Sequence, residues 1–255
     1  MTQRRTALVV GGANGIGLAI AKQLAAAGFD LTLTAHTYEA ARDAAAELAA
    51  YGAKVTATAA DLSSEYDLRQ LAAGHLHTFG HLDTLILSAE LGSLGNLEKY
   101  SSKRWDRVFS VNVRAQLVLI QHCLPALRAA AALPSVHGSK VIAVASLAGV
   151  VSEPDLAAYS ASKAALISLC QSVTLAEHWR GVTAMALSPG YVETSLGGDH
   201  DCGSLSAMIH ADDVASLATA LCQLSRRAIV PNLTVGTAAE ILRAEPSPSA
   251  RLAFA

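Results

Sequence analysis

Seven short runs rich in β-branched and apolar residues recur along the chain, each followed by a longer Ala- and Leu-rich stretch of helical period. The runs are TALVV (6–10), DLTLTA (30–35), KVTAT (54–58), DTLIL (83–87), KVIAVAS (140–146), VTAMAL (182–187) and AIVPNLTV (228–235). Strands that alternate with helices pair in parallel, and helices then cover both faces of the sheet. Most of the runs are apolar throughout rather than at every second position, as strands buried on both faces require. The sequence therefore predicts an α/β fold, a doubly wound seven-stranded parallel sheet flanked by helices. At 255 residues one domain is expected. It spans residues 1–240; residues 241–255, including RAEPSPSARLAFA, read as an irregular C-terminal tail.

Charge and composition narrow the partners. The 19 basic and 21 acidic residues nearly cancel, leaving no electropositive character suited to nucleic acid or an anionic membrane. A small molecule is the expected partner. Hydrophobic content is 52%, but alanine supplies much of it, and no apolar run approaches the roughly 20 residues of a spanning helix. The opening MTQRRTALVVGG stops at glycines too soon for a secretory core and reads as a first strand. Cys123, Cys170, Cys202 and Cys222 form no C-x-x-C pair, which fits a reducing, cytoplasmic compartment and argues against a zinc site. His75, His77 and His81 lack metal-ligand spacing and read as a solvated helix end.

Two motifs carry chemistry. After the first run comes GGANGIG (11–17) and then a helix, so Gly11, Gly15 and Gly17 allow a tight turn and the approach of a pyrophosphate to the helix N-terminus. The spacing, G-x-x-x-G-x-G, departs from the dinucleotide fingerprint G-x-G-x-x-G. In AYSASK (158–163), Tyr159 and Lys163 stand four apart, hence on one face if 155–180 is helical. An ammonium beside a phenol favours the phenolate, which would suit acid–base work near neutral pH. Taken alone, the same pair also describes an ordinary surface helix.

These motifs, together with DLS (61–63), VNV (111–113), ASLAG (145–149) and SPGYVET (188–194), occur in an order and spacing that resembles the short-chain dehydrogenases/reductases over residues 6–236. The resemblance implies a Rossmann-type fold and hydride transfer between a nicotinamide cofactor and a carbonyl or secondary alcohol. It places Asn112, Ser146, Tyr159 and Lys163 as a catalytic tetrad. Tyr159 would be general acid or base, Ser146 would hydrogen-bond the reacting oxygen, Lys163 would tune the phenol and bind the nicotinamide ribose, and Asn112 would hold a water. It also implies cofactor contacts at Gly11, Asn14, Gly15, Ile16, Gly17, His36, Thr37, Asp61, Leu62, Ser88, Ala89, Pro189, Gly190, Val192 and Thr194, besides Tyr159 and Lys163. A short substrate lid is expected at 194–208, with Leu205 and Met208 as an apolar wall, and a homodimer or homotetramer is expected through the long helices. A cofactor-binding sensor or scaffold without turnover is the competing class; an NAD-dependent alcohol or polyol dehydrogenase is a further enzymatic one.

Four departures from the family pattern are informative. The second run ends in Ala35, His36 and Thr37 with no carboxylate for a ribose 2′-hydroxyl, so NADP(H) is favoured, with NAD(H) possible. Asp61 would meet the adenine edge, with capping of the next helix as the plain alternative. The usual N-N-A-G is here Leu87, Ser88, Ala89 and Glu90. Glu90 then either selects polar substrates or faces solvent, and Leu87 replaces a strand-tying amide by packing. Val10 stands where a threonine usually precedes the first glycine, at the cost of a hydrogen bond.

Overall fold

A computed structural model describes residues 4–194 and 208–242. The elements run β1 (Thr6–Val10), α1 (Gly15–Ala26), β2 (Asp30–Ala35), α2 (Tyr38–Leu48), β3 (Val55–Ala59), α3 (Glu65–Phe79), β4 (Thr84–Leu87), α4 (Ser102–Phe109), α5 (Ala115–Ala132), β5 (Ser139–Val144), α6 (Ala157–Glu177), β6 (Val182–Pro189), β7 (Val192–Glu193), β8 (Ile209–His210), α7 (Ala211–Gln223), β9 (Asn232–Val235) and α8 (Ala238–Leu242). Seven strands form one sheet in the order β3-β2-β1-β4-β5-β6-β9, every neighbouring pair parallel. β7 and β8 make a separate two-stranded pair.

The period-2 geometry of a strand divides the core in two. Leu8 and Val10 of β1, Val141 and Ala143 of β5, and Ala184 and Ala186 of β6 pack on the face covered by α3, α5 and α6. Their neighbours Ala7, Val9, Ile142, Val144, Met185 and Leu187 pack on the face covered by α1 and α7. Each fully buried Leu, Ile or Val adds about 1.5 to 3 kcal/mol of transfer free energy. Leu87 is buried in the first cluster, so packing does hold the strand at that position. The strand order reverses between β1 and β4, and a ligand crevice opens at such a point beyond the carboxyl ends of the strands.

Some boundaries moved. The last strand is Asn232–Val235 rather than 228–235, because residues 225–228 form a turn and Pro231 has no N–H for a ladder. The fifth strand stops at Val144, and Ser146 instead begins a short 3₁₀ turn, accepting from the Ala148 N–H at 3.1 Å. The helix expected over 155–180 spans Ala157–Glu177 and ends in a 3₁₀ turn, His178–Arg180. Of the expected lid only Thr194 and Met208 are described; Leu205 and residues 243–255 lie outside the described residues, and Ile241 and Leu242, expected in the irregular tail, instead end helix α8.

His75 corrects the reading of a solvated helix end. It is buried, with Nδ1 2.8 Å from the Thr32 hydroxyl and Nε2 3.1 Å from the His81 carbonyl. Leu68, Leu71, Ala72 and His75 share one buried stripe of α3, so the helical period carries the imidazole inward. His77 is exposed.

Candidate active site

The glycine turn after β1 has little room for any other residue at two positions. Gly11 has φ +80°, and a Cβ there would lie 2.6 Å from the Ala89 nitrogen. At Gly17 it would lie 1.9 Å from the Gly11 carbonyl oxygen. The turn thus docks directly on the Ser88–Ala89 segment beyond β4. Its Gly11 N–H meets the Thr34 hydroxyl of β2 at 3.3 Å.

The twelve-residue helix α1 begins with its N-terminal donors uncommitted: Asn14 makes no side-chain cap and the first turn holds no acid. Uncapped N–H groups at the positive end of a helix dipole suit a phosphate. The glycines clear the path to them, and Ile16 and Thr194 border the adjoining cavity. This donor set fits the pyrophosphate of a nicotinamide dinucleotide.

The tetrad residues converge at the carboxyl ends of β4 and β5. Tyr159 and Lys163 lie on one face of α6, with the ammonium 5.5 Å from the centre of the phenol ring. Ser146 and Tyr159 both line the same cavity wall, and Ser146 acts on the Tyr159 phenol. Lys163 is buried and donates to the Val144 carbonyl at 2.9 Å. Asn112 sits in a π-turn, Ser110–Arg114, between α4 and α5. Its amide accepts from the Leu91 N–H at 2.7 Å and donates to the Leu91 carbonyl at 3.1 Å and the Ser162 hydroxyl at 3.0 Å. Those bonds tie the side chain to the Leu91 backbone and to α6.

Glu90 lines the cavity and is partly exposed, and it also meets the pair itself. One of its oxygens, Oε2, lies 2.5 Å from the Lys163 Nζ and accepts from the Tyr159 hydroxyl at 3.0 Å. With Glu90 against the pair, the phenol is favoured over the phenolate. Burial and the Glu90 carboxylate push the Tyr159 phenol well above the ordinary tyrosine value, with the Ser146 hydrogen bond opposing. The lysine's charge is answered by Glu90 before it reaches the phenol.

The short chain dehydrogenase family model matches residues 5–201. The chain belongs to the short chain dehydrogenase family. Sorbitol dehydrogenase of Cereibacter sphaeroides is 33% identical over 189 residues, 74% of this chain and 71% of the relative. A short chain dehydrogenase from Burkholderia cenocepacia, solved in complex with NADP, superposes with a TM-score of 0.82 at 31% identity, covering 91% of this chain and 96% of that one. The 3-ketoacyl-(acyl-carrier-protein) reductase of Brucella melitensis, solved with NADH, superposes at 0.83 with 27% identity and the same coverages. This short chain dehydrogenase is an oxidoreductase whose cofactor is NAD(P)(H).

The residues expected at the adenosine end of the cofactor follow β2 and β3. Ala35 ends β2, and His36 and Thr37 follow; the Thr37 hydroxyl caps α2 by accepting from the Ala40 N–H at 3.3 Å, which leaves its own proton to give. Asp61 does not cap α3, because Ser64 does. Instead Asp61 accepts from the Ser63 N–H and hydroxyl, both at 2.8 Å, and these bonds, with smaller help from the charges of His36 and Arg107, hold its carboxyl below the usual range. Leu62 packs partly on the core.

At the other end, a cavity of about 470 Å³ opens beside Ser146 and Tyr159. Leu91, Leu94, Leu147 and Leu156 give it apolar walls, and Arg104, Glu90 and Glu153 give it charge. Pro189, Gly190 and Val192 form its floor after β6. Gly190 is held by the Val235 carbonyl, and a Cβ there would meet the Glu240 carboxylate at 2.3 Å. Glu240 accepts from the N–H groups of Tyr191 and Thr237, both at 2.7 Å, fixing the loop. Sequence reasoning missed Glu240, Glu153, Thr34 and Ser162. Only Ser162, inside YSASK, carried a local signal.

Proposed function

We propose that this protein reduces a ketone or aldehyde with a reduced nicotinamide cofactor, Tyr159 giving the proton. The observation that carries the reading is that Tyr159 and Ser146 line one cavity, with Lys163 on the same face of α6 as Tyr159. The bound cofactor supplies the hydride. Ser146 and Tyr159 orient the carbonyl oxygen and polarise its bond, so negative charge that develops on that oxygen meets hydroxyl donors. The phenol proton moves to the oxygen, and the phenolate left behind is stabilised by the Lys163 ammonium until solvent returns a proton. Asn112 keeps Leu91 and α6 in register. Val192, Pro189 and Gly190 support the reacting face of the cofactor; Gly11, Asn14, Gly15, Ile16 and Gly17 take the pyrophosphate; Ser88 and Ala89 border the ribose, and Asp61 and Leu62 the adenine.

NADP(H) is the preferred cofactor in this reading, since His36 and Thr37 offer donors where an acid would repel a 2′-phosphate. The protein works in the cytoplasm as a homodimer or homotetramer. Support for the first is that no helix among the described residues is long and apolar enough to cross a membrane; support for the second is the exposed Leu117 on α5 and Leu175 on α6.

A polyol or secondary-alcohol dehydrogenase is the second reading. It is favoured by the two carboxylates that line the cavity and by the likeness to sorbitol dehydrogenase. Steady-state turnover decides: NADPH consumption with a panel of ketones and aldehydes, set against NAD⁺ reduction with polyols. Turnover with neither panel would return the protein to the class of cofactor-binding proteins without catalysis.

A further inference from the structure

The Glu90 carboxylate stands where the short-chain pattern has a glycine, and its contacts are with the two side chains on which the chemistry depends. A phenol has one proton. In this structure the Tyr159 proton is directed to Glu90 Oε2 at 3.0 Å, so it is not available to a carbonyl oxygen. The Lys163 ammonium has three N–H donors. One meets the Val144 carbonyl and another meets the same Oε2 at 2.5 Å, and the lysine is buried. A ligand hydroxyl that sought this ammonium would find the approach held by the chain's own carboxylate.

We propose that Glu90 is a positioning residue that acts as an internal ligand of the reaction centre, occupying Lys163 and the Tyr159 proton until the nicotinamide end of the cofactor displaces it. The exchange is feasible on geometry. Glu90 follows β4 in a segment without regular structure, and its side chain is 32% exposed against 1% for Lys163, so the carboxylate has water and the cavity to move into while the lysine stays fixed. Ribose hydroxyls can replace both of its bonds, accepting from the ammonium and exchanging a hydrogen bond with the phenol. Displacing a charged contact to an ammonium that is otherwise buried is costly, so part of the cofactor's binding free energy goes into freeing the centre. The charged and titratable groups around the Tyr159 hydroxyl are Glu90, Lys163 of its own helix, and Glu153 and Arg104 at the cavity; Tyr191 hydrogen-bonds Glu153 at 2.7 Å.

The inference rests on the proposed function only in taking Lys163 and Tyr159 as the pair that meets the cofactor, and its test does not depend on turnover. NADPH affinity is titrated by fluorescence in the wild type, in Glu90→Gln and in Glu90→Gly. Removal of the carboxylate is expected to tighten binding by about tenfold or more, in line with the loss of one charge-assisted contact. Glu153→Gln, which removes an equal charge from the same cavity but not from the pair, is expected to change it by less than about threefold. In the cofactor-free protein, the Tyr159 phenol is titrated by ultraviolet difference spectra against Tyr159→Phe, which separates it from the other five of the six tyrosines. It is expected to ionise at lower pH in Glu90→Gln than in the wild type. Unchanged or weaker NADPH binding in both Glu90 variants overturns the proposal, as does an equal gain in Glu153→Gln or an unmoved phenol. Absence of turnover on any carbonyl, with these shifts present, would count against the proposed function and leave the role of Glu90 standing.

Discussion

Asn112 pairs with the backbone of Leu91 through both ends of its amide, Oδ1 to the N–H at 2.7 Å and Nδ2 to the carbonyl at 3.1 Å, as one strand pairs with another. This contact fixes the residue next to Glu90, and the further bond to Ser162 ties the same amide into α6.

Asn112→Leu keeps the volume and removes every one of those bonds, leaving the Leu91 backbone groups and Ser162 to find other partners. Buried polar groups left unpaired cost about 1 to 3 kcal/mol each. Turnover is expected to fall by about tenfold to a hundredfold, with the melting temperature lowered by several degrees. Wild-type kcat in this variant would show that the amide does not position the centre.

Tyr159→Phe keeps the ring and removes the proton. General acid catalysis contributes about a hundredfold to ten-thousandfold, so kcat should fall by at least two orders of magnitude while cofactor affinity changes little. Single-turnover kinetics with the ring-matched variant make the measurement, and comparable rates would exclude Tyr159 as the proton donor.

Ala35→Asp places a carboxylate at the end of β2, where the ribose of the adenosine lies in the proposed mode. The charge should repel a 2′-phosphate and receive a 2′-hydroxyl, reversing a native preference for NADPH over NADH. Fluorescence titration of both reduced cofactors in both proteins tests it. A wild type that already prefers NADH would refute the assignment of His36 and Thr37.

The buried His75 makes stability depend on pH. Burial pushes its imidazole down from 6.5 to about 4, the bond to His81 opposing. Between these values the unfolded chain binds a proton that the folded chain does not, so the contribution is fully present above about pH 6.5 and is lost as the pH falls toward 4. The loss is on the order of 3 kcal/mol. Urea unfolding at several pH values should show this slope in the wild type and a flatter one in His75→Gln; parallel slopes would place the acid sensitivity elsewhere.

The sequence by itself determined the doubly wound sheet, the glycine turn and the order of the tetrad, because each is written in local signals. Strand and helix periods follow from the side chains within one element, and backbone freedom at Gly11 or the i, i+4 spacing of Tyr159 and Lys163 needs no distant partner. Tertiary structure decided what those groups meet. Glu90 is 69 residues from Tyr159 in the chain, Asn112 is 21 from Leu91, and Thr34 is 23 from Gly11. A single carboxylate's effect on a phenol depends on its distance and burial, which residue type alone does not fix. So the sequence could name a phenol and an ammonium at one site, but only the fold could place Glu90 on that pair.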